Sequence, residues 1–222
     1  MQKYITKFMK RRLMPILLGI CIVFGLNCSS VHAATTPAIV VIVDIVSYPG
    51  GFSAPAQSSS NGHSFLLIHN YSYYPITIGH MTVGVGDYIT NGTFDNRSAH
   101  HGIWYNIEAY AINAVKKTTY ARMSYGLTSQ SQVDTLNSTI NSCDYYSYVP
   151  LFTCSSFARQ CWNSVAPSSM QVSGNTPLLL KSSILSHGGV SSGLTDSPKA
   201  DSTIAYQTTT GYITCPQGKN EF

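Results

Sequence analysis

The chain has 222 residues, a length that suits one globular domain with a sizeable core, and only 10% of them are charged. Its formal net charge of +4 comes from 13 Lys and Arg against 9 Asp and Glu, and five of those basic residues precede residue 13, so the rest of the chain is close to neutral. This balance excludes an electrostatic argument for binding nucleic acid or an acidic membrane surface.

The N-terminal segment has the three parts of a cleavable secretory signal. Residues 1–12 are basic and contain no acid, residues 13–26 are an apolar run, and Val31-His32-Ala33 supplies small residues before a cleavage point. The run is shorter than the about 20 residues that a membrane-spanning helix needs. We predict a signal peptide over 1–33 and a secreted, periplasmic or cell-envelope protein without stable membrane insertion. An uncleaved anchor is the alternative.

The mature chain, 34–222, is predicted to be a single domain whose first half is mainly β-structure. Its signals are, in chain order, a β-branched buried strand at 38–46, a Gly- and Pro-rich loop at 48–62, a hairpin formed by 63–69 and 76–79, short β pieces over 81–93, an ambiguous segment at 103–114, and an alternating strand at 118–125. The core of the domain is expected over about 62–166.

Helices are predicted in the second half. Residues 128–141 space Val133, Leu136 and Ile140 on one face, with Thr128 or Ser129 as the N-cap. A second helix opens at Cys154 and runs to Val165, and 178–185 is a helical patch. The Gly-, Ser- and Thr-rich tail, 186–222, is predicted to be loop-rich and to wrap the surface or be loosely ordered.

A candidate nucleophile opens the second helix, in Thr153-Cys154-Ser155-Ser156. Unpaired backbone N–H groups and the positive end of the helix dipole meet in a first helical turn. There they lower the pKa of a thiol, and the same N–H groups can stabilise an oxyanion. Cys154 is therefore a candidate thiolate. The alternative is a disulfide, because three further cysteines remain in the mature chain and their pairing is open: Cys143, Cys161 and Cys215.

A candidate base lies in Gly62-His63-Ser64-Phe65, where a histidine begins a predicted strand directly after a glycine. A thiolate nucleophile needs a base that can hold the imidazolium form. As the first residue of a strand, His63 would be held on a rigid element, with its side chain accessible at the end of that strand. The alternative is an ordinary surface histidine with no catalytic role.

In this order and at this spacing, the two motifs resemble the circularly permuted NlpC/P60 papain-like superfamily. The matching residues are Gly62 to Phe65 and Cys154-Ser155-Ser156-Phe157-Ala158, and the likeness covers about half of the mature chain. It implies an α+β, papain-like fold in which an antiparallel sheet bearing His63 packs on a helix with Cys154 at its N-terminus. Thr153 departs from the Asn or Asp that often precedes the cysteine in such thiol hydrolases.

The resemblance also implies a thiol hydrolase that cleaves amide bonds through a thioester, with Cys154 as nucleophile, His63 as base and no cofactor. Family substrates include cell-wall (peptidoglycan) peptides, and the predicted signal peptide would place a cysteine amidase or endopeptidase beside them. An acyltransferase or thioesterase of the same fold is the alternative within the enzyme class.

The family places a third polar residue after the histidine strand to orient the imidazole. His80 is the predicted residue, on the expectation that the hairpin sets it opposite Phe65 and diagonal to His63. The alternatives are Glu108, Asn106 and His101.

A secreted β-rich binding or adhesion module is the alternative outside the enzyme class. Tyr71, Tyr73 and Tyr74 would then contact a sugar or protein surface, with Cys154 paired and His63 incidental. Neither C-x₂-C nor H-E-x-x-H spacing occurs, so we predict no metal site.

Overall fold

The computed structural model describes residues 40–50, 52–54, 57–59, 62–93, 102–109, 112, 120–143, 153–192, 194 and 203–215. The predicted signal peptide and His101 lie outside these residues. Within them the chain is an α+β structure with one large antiparallel sheet. Across these ranges, no helix has both the length and the apolar character needed to cross a membrane.

The elements follow one another with the helices grouped late in the chain. The strands are β1 Val41–Tyr48, β2 Phe52–Ala54, β3 Gln57–Ser59, β4 His63–Asn70, β5 Ile76–Ile78, β6 Met81–Val83, β7 Tyr88–Thr93, β8 Ile103–Tyr105, β9 Tyr120–Leu127, β10 Val190–Ser192, β11 Ile204–Gln207 and β12 Tyr212–Cys215. The helices are α1 Gln130–Ser142, α2 Cys154–Val165 and α3 Pro177–Ser186, with a 3-10 turn at Ser168–Met170. Residues 107–109 are also helical.

The main sheet has the strand order β10-β9-β1-β4-β7-β8-β11-β12, and its paired strands are antiparallel. β4 lies near the middle, between β1 and β7, and all eight of its residues are buried. Alternate β4 side chains serve two cores, as expected for a strand covered on both faces. Leu66 and Ile68 belong to the cluster that contains the helices, whereas Phe65 and Leu67 belong to a second cluster.

Local sequence signals explain the helices. The predicted face of α1, Val133, Leu136 and Ile140, is buried, and the Ser129 side chain accepts a hydrogen bond from the Gln132 N–H as the N-cap. α3 begins with Pro177 in its first turn, where a missing N–H costs nothing. The predictions of these helices and of α2 are confirmed.

The predicted hairpin of β4 with the next strand is wrong. β5 pairs with β6 in a separate two-stranded sheet, while β4 pairs with β1 and β7. The Asn70 side chain explains the excursion, because its amide donates to the backbone carbonyls of Tyr74, Val83 and Gly84 and so ties both ends of the β5–β6 segment to the end of β4.

The prediction of a loosely ordered tail is also wrong for the described part of it. β10 pairs with β9, and β11 pairs with β8 and β12, with Ile204 and Ala205 buried. These strands have three or four residues each, too short to give a clear alternation in the sequence. The core thus extends beyond 62–166, since β1 also lies inside the sheet.

Candidate active site

His63 and Cys154 meet where the start of β4 faces the start of α2. The two side chains are close enough for each to shift the pKa of the other through charge and hydrogen bonding, and the backbone N–H of Ser64 also acts on the pKa of the Cys154 thiol. His63 is buried and Cys154 is half-buried. The structure therefore brings together the two residues that the sequence motifs single out.

The glycine before His63 is required by the turn that starts the strand. Gly62 has φ of +88°, and a Cβ there would clash with the carbonyl oxygen of Tyr48 and lie 2.7 Å from Cα of Pro49. Only glycine adopts this conformation at no steric cost. Gly62 thus fixes where β4 begins, and with it the position of His63.

Glu108 is the residue that orients the imidazole. Its Oε1 lies 2.9 Å from Nε2 of His63, and its Oε2 accepts a 2.6 Å hydrogen bond from Oγ1 of Thr90. Glu108 and His63 are 0% and 1% exposed, so their contact is shielded from water. Because one carboxylate oxygen is held by Thr90, the other is aimed at the ring in one direction.

The backbone at Asn106 brings Glu108 to this position. Asn106 has φ of +61°, a left-handed conformation that asparagine tolerates better than most residues. Its N–H donates to the Thr90 carbonyl at 3.0 Å and its Oδ1 accepts from the Thr90 N–H at 3.2 Å. The chain therefore turns out of β8 directly into the helical residues 107–109, with Glu108 beside Thr90.

His80, the residue predicted to orient the imidazole, does not lie where that prediction placed it. It sits in the turn between β5 and β6, where its backbone N–H donates to the hydroxyl of Tyr105. The positions opposite Phe65 are occupied by Val46 and Gly92. The reason is the strand pairing, since β7 rather than β5 is the neighbour of β4 on that side. Glu108, an alternative in the sequence, makes the contact instead.

The pKa values of His63 and Cys154 move in the directions that an ion pair requires. Burial by itself would lower the pKa of His63, but the charge and hydrogen bond of Cys154, together with those of Glu108, outweigh it and raise the pKa from 6.5 to about 9. Burial would raise the pKa of Cys154, yet the charge and hydrogen bond of His63, the Ser64 N–H and the Ser155 hydroxyl lower it. Thiolate and imidazolium are therefore favoured together from the lowered thiol pKa up to about pH 9.

Thr153, the residue before Cys154, is the N-cap of α2. Its side chain accepts from the Ser156 N–H at 3.4 Å and donates to the Asn175 carbonyl at 2.5 Å. A hydroxyl that can donate and accept at once suits this position, whereas an Asp carboxylate could only accept. Thr153 thus caps α2 and fastens it to the segment before α3.

Three buried serines form a hydrogen-bonded chain beneath the sulfur. Ser155 and Ser64 are 2.9 Å apart, Ser64 and Ser47 are 2.9 Å apart, and Ser47 donates to the carbonyl of Pro177 at 2.7 Å. The chain links β1, β4, α2 and α3 at the level of Cys154. It satisfies polar groups that would be costly to bury alone and fixes the start of α2 against the sheet.

Comparisons with protein-family models, with curated proteins and with solved structures find no match to this chain. The likeness to the permuted NlpC/P60 superfamily therefore depends on the two motifs and stays a prediction. Among the described residues no group of three His, Cys, Asp or Glu side chains could hold a metal ion.

Gly92 is a site residue that the sequence reading did not identify, because a glycine in short β pieces indicates only a break. A Cβ at Gly92 would clash with Oε1 of Glu108 and lie 3.1 Å from Nε2 of His63. The absence of a side chain is what lets the carboxylate reach the ring. The only sequence signal for this role is the glycine itself, because a glycine inside a strand often marks a place where another group approaches the backbone closely.

We expect Gly92→Ala to push the Glu108 carboxylate off the imidazole and to lower any activity of this site about 10–100-fold, with a stability loss of about 1–3 kcal/mol from overpacking. Gly126→Ala is the matched control, because Gly126 also lies in a strand but its added Cβ would meet Cδ1 of Ile42 at an ordinary 3.5 Å. Activity and thermal unfolding are measured for both variants. Equal behaviour of the two would contradict this role of Gly92.

Proposed function

We propose that this chain is an exported thiol hydrolase with a papain-like arrangement, in which Cys154 is the nucleophile, His63 the base and Glu108 the residue that orients the base. The observation that carries the proposal is that His63 interacts with two groups: Oε1 of Glu108 lies 2.9 Å from its Nε2, and the charge and hydrogen bond of Cys154 raise its pKa. A thiol is activated when it is hydrogen-bonded to a base and the base is hydrogen-bonded in turn to a group that orients it.

The first half of the reaction forms a thioester. Because Glu108 occupies Nε2, Nδ1 of His63 takes the thiol proton of Cys154, and the thiolate attacks the carbonyl carbon of an amide. The Ser156 N–H donates to the Thr153 side chain and is therefore not available to the oxyanion. The Cys154 N–H, which is nearest the sulfur, donates to the oxyanion instead. His63 then gives its proton to the leaving amine as the C–N bond breaks.

The second half restores the enzyme. A water molecule enters, His63 takes one of its protons, and the resulting hydroxide attacks the thioester carbon. The C–S bond breaks, the carboxylic acid leaves and the proton returns to the sulfur. The sum is one amide and one water converted to one acid and one amine. An acyltransferase would differ only in using another acceptor in place of water.

Cell-wall peptides are the substrate class we favour, because the predicted signal peptide would deliver the enzyme to the compartment where they lie. A binding or adhesion module is the competing function, and the exposed Tyr71 and Tyr73 would suit it. The buried contact between His63 and Glu108 favours catalysis, since a binding surface gains nothing from a carboxylate and an imidazole hidden beneath it.

The test is digestion of purified peptidoglycan, with products separated by chromatography and identified by mass. We expect the mature protein to release new amino and carboxyl termini from the peptide stems, and Cys154→Ala to release none. Cys215→Ala is the matched control, because Cys215 is a buried cysteine whose pKa is raised by burial to about 11 and which is a poor nucleophile at neutral pH. Identical product profiles from the mature protein and Cys154→Ala would refute the cell-wall proposal.

A further inference from the structure

We propose that Cys143 and Cys161 form a disulfide bond in an oxidising environment, and that this bond fastens the end of α1 to the middle of the nucleophile helix α2. The Cys143 side chain is close enough to Cys161 to add to the effect of burial in raising the pKa of the Cys161 thiol, and the two residues are not covalently joined in this structure. The site is separate from the catalytic contact of Cys154 with His63, so the inference goes beyond the proposed function.

The positions of the two cysteines suit such a bond. Cys143 is the C-cap of α1, where its N–H donates to the Ile140 carbonyl at 3.2 Å, and Cys161 lies inside α2. Both belong to the apolar cluster that includes Phe157 and Trp162. Cys161 is fully buried and Cys143 is 8% exposed, so a bond between them would be shielded from reducing agents once formed.

The other cysteines are excluded as partners of Cys161 by distance and placement. Cys154 and Cys161 are seven residues apart on one helix, which separates their Cα atoms by about 10 Å, and a disulfide needs less than about 7 Å. Cys215 lies at the end of β12 in another apolar cluster, with Trp104 and Ile107. Pairing of Cys143 with Cys161 therefore leaves Cys154 free to act as the nucleophile.

Formation of the bond proceeds by exchange with an external disulfide, for which oxidised glutathione is the simplest example. The Cys143 thiolate attacks one glutathione sulfur and releases one glutathione thiol. The Cys161 thiolate then attacks the Cys143 sulfur of the mixed disulfide and releases the second. Two protein thiols are oxidised by two electrons, and one glutathione disulfide is reduced to two thiols. Cys143 reacts with glutathione before Cys161 does, because Cys161 is fully buried and burial raises the pKa of its thiol well above the ordinary value.

The bond would close the segment from Cys143 to Cys161, which contains Cys154. Closing a loop of this length restricts the unfolded chain, and the oxidised protein should therefore melt about 5–10 °C higher than the reduced protein. The same restraint holds the middle of α2 close to the end of α1.

The decisive experiment maps the linkage in the mature protein after refolding with reduced and oxidised glutathione. Trypsin leaves Cys143 and Cys154 on one peptide, because no Lys or Arg lies between Arg122 and Arg159. The Cys154→Ala variant removes that ambiguity. We expect it to yield the peptide ending at Arg159 linked to the peptide ending at Lys181, with Cys215 alkylated as a free thiol.

Alkylation of both Cys143 and Cys161 under these conditions would overturn the proposal, and so would a Cys215 linkage. Thermal unfolding gives a second measurement: Cys143→Ser should melt at one temperature with or without reductant, whereas Cys215→Ser should keep the difference. Because the linkage is mapped in a variant that lacks the nucleophile, its absence would leave the proposed function untouched, and failure of peptidoglycan cleavage would leave the disulfide untouched.

Discussion

Replacing His63 with alanine is expected to reduce kcat/KM by about 10⁴–10⁶-fold, close to the loss caused by Cys154→Ala. Nucleophile and base act as a unit, so removal of either one abolishes most of the chemistry. The effect is large here because His63 supplies both the proton acceptor and the positive charge that keeps Cys154 ionised. Steady-state cleavage of a peptidoglycan stem peptide measures it. His187→Ala is the control, since His187 is an exposed residue that caps α3.

The same variant should change the reactivity of the thiol in a way that simple misfolding would not. In the wild-type protein we expect iodoacetamide to label Cys154 at a lower pH than an ordinary cysteine requires, because the charge and the hydrogen bond of His63 outweigh burial and lower the pKa of the Cys154 thiol. Without His63, burial dominates and the pKa of Cys154 rises, so labelling should require alkaline pH. If Cys154 in the wild-type protein reacts no faster than Cys215, the binding-module function is favoured instead.

The helices could be predicted because their signals are local. Ser129 stands directly before the apolar spacing of α1, and Thr153 stands before Cys154 at the start of α2. A cap and a repeating apolar face lie within one segment of sequence, so no knowledge of the rest of the chain is needed. The same locality placed His63 at a strand start and Cys154 in a first helical turn.

The order of the strands could not be predicted in the same way. The expectation that placed His80 opposite Phe65 assumed that successive strands pair, which is a common but not general rule. Here the hydrogen bonds of one side chain, Asn70, divert the β5–β6 segment out of the main sheet. A single polar residue at a strand end thus decides which later residue reaches the histidine.

Glu108 and Gly92 illustrate what sequence reading leaves open at the site. Glu108 reaches His63 only because Asn106 adopts a left-handed conformation and because β7 and β8 pair in a register that places Gly92 beside the carboxylate. Both conditions depend on contacts between segments distant in sequence. The sequence could name Glu108 as an alternative but held no signal that ranked it above His80.

Glu108→Gln is expected to lower kcat/KM by about 10²–10⁴-fold while leaving the fold intact, since the two side chains have nearly the same shape. The carboxylate can only accept, so it fixes the proton of neutral His63 on Nε2 and leaves Nδ1 to take the thiol proton. A glutamine can present either its oxygen or its NH₂ group to the ring, and in the second orientation the imidazole carries its proton on the wrong nitrogen.

The pH dependence separates this effect from a loss of packing. The hydrogen bond and the charge of Glu108 both raise the pKa of His63, and the imidazolium must protonate the leaving amine, so kcat/KM of the glutamine variant should fall at a pH below the wild-type limit of about 9. Thr90→Val is the companion variant: it removes the hydroxyl that holds Oε2 but keeps the carboxylate. It should therefore lower activity with a much smaller change in the pH limit. A glutamine variant whose rate and pH profile both match the wild type would show that Glu108 does not orient His63. The interaction with Cys154 alone would then determine which ring nitrogen of His63 carries the proton.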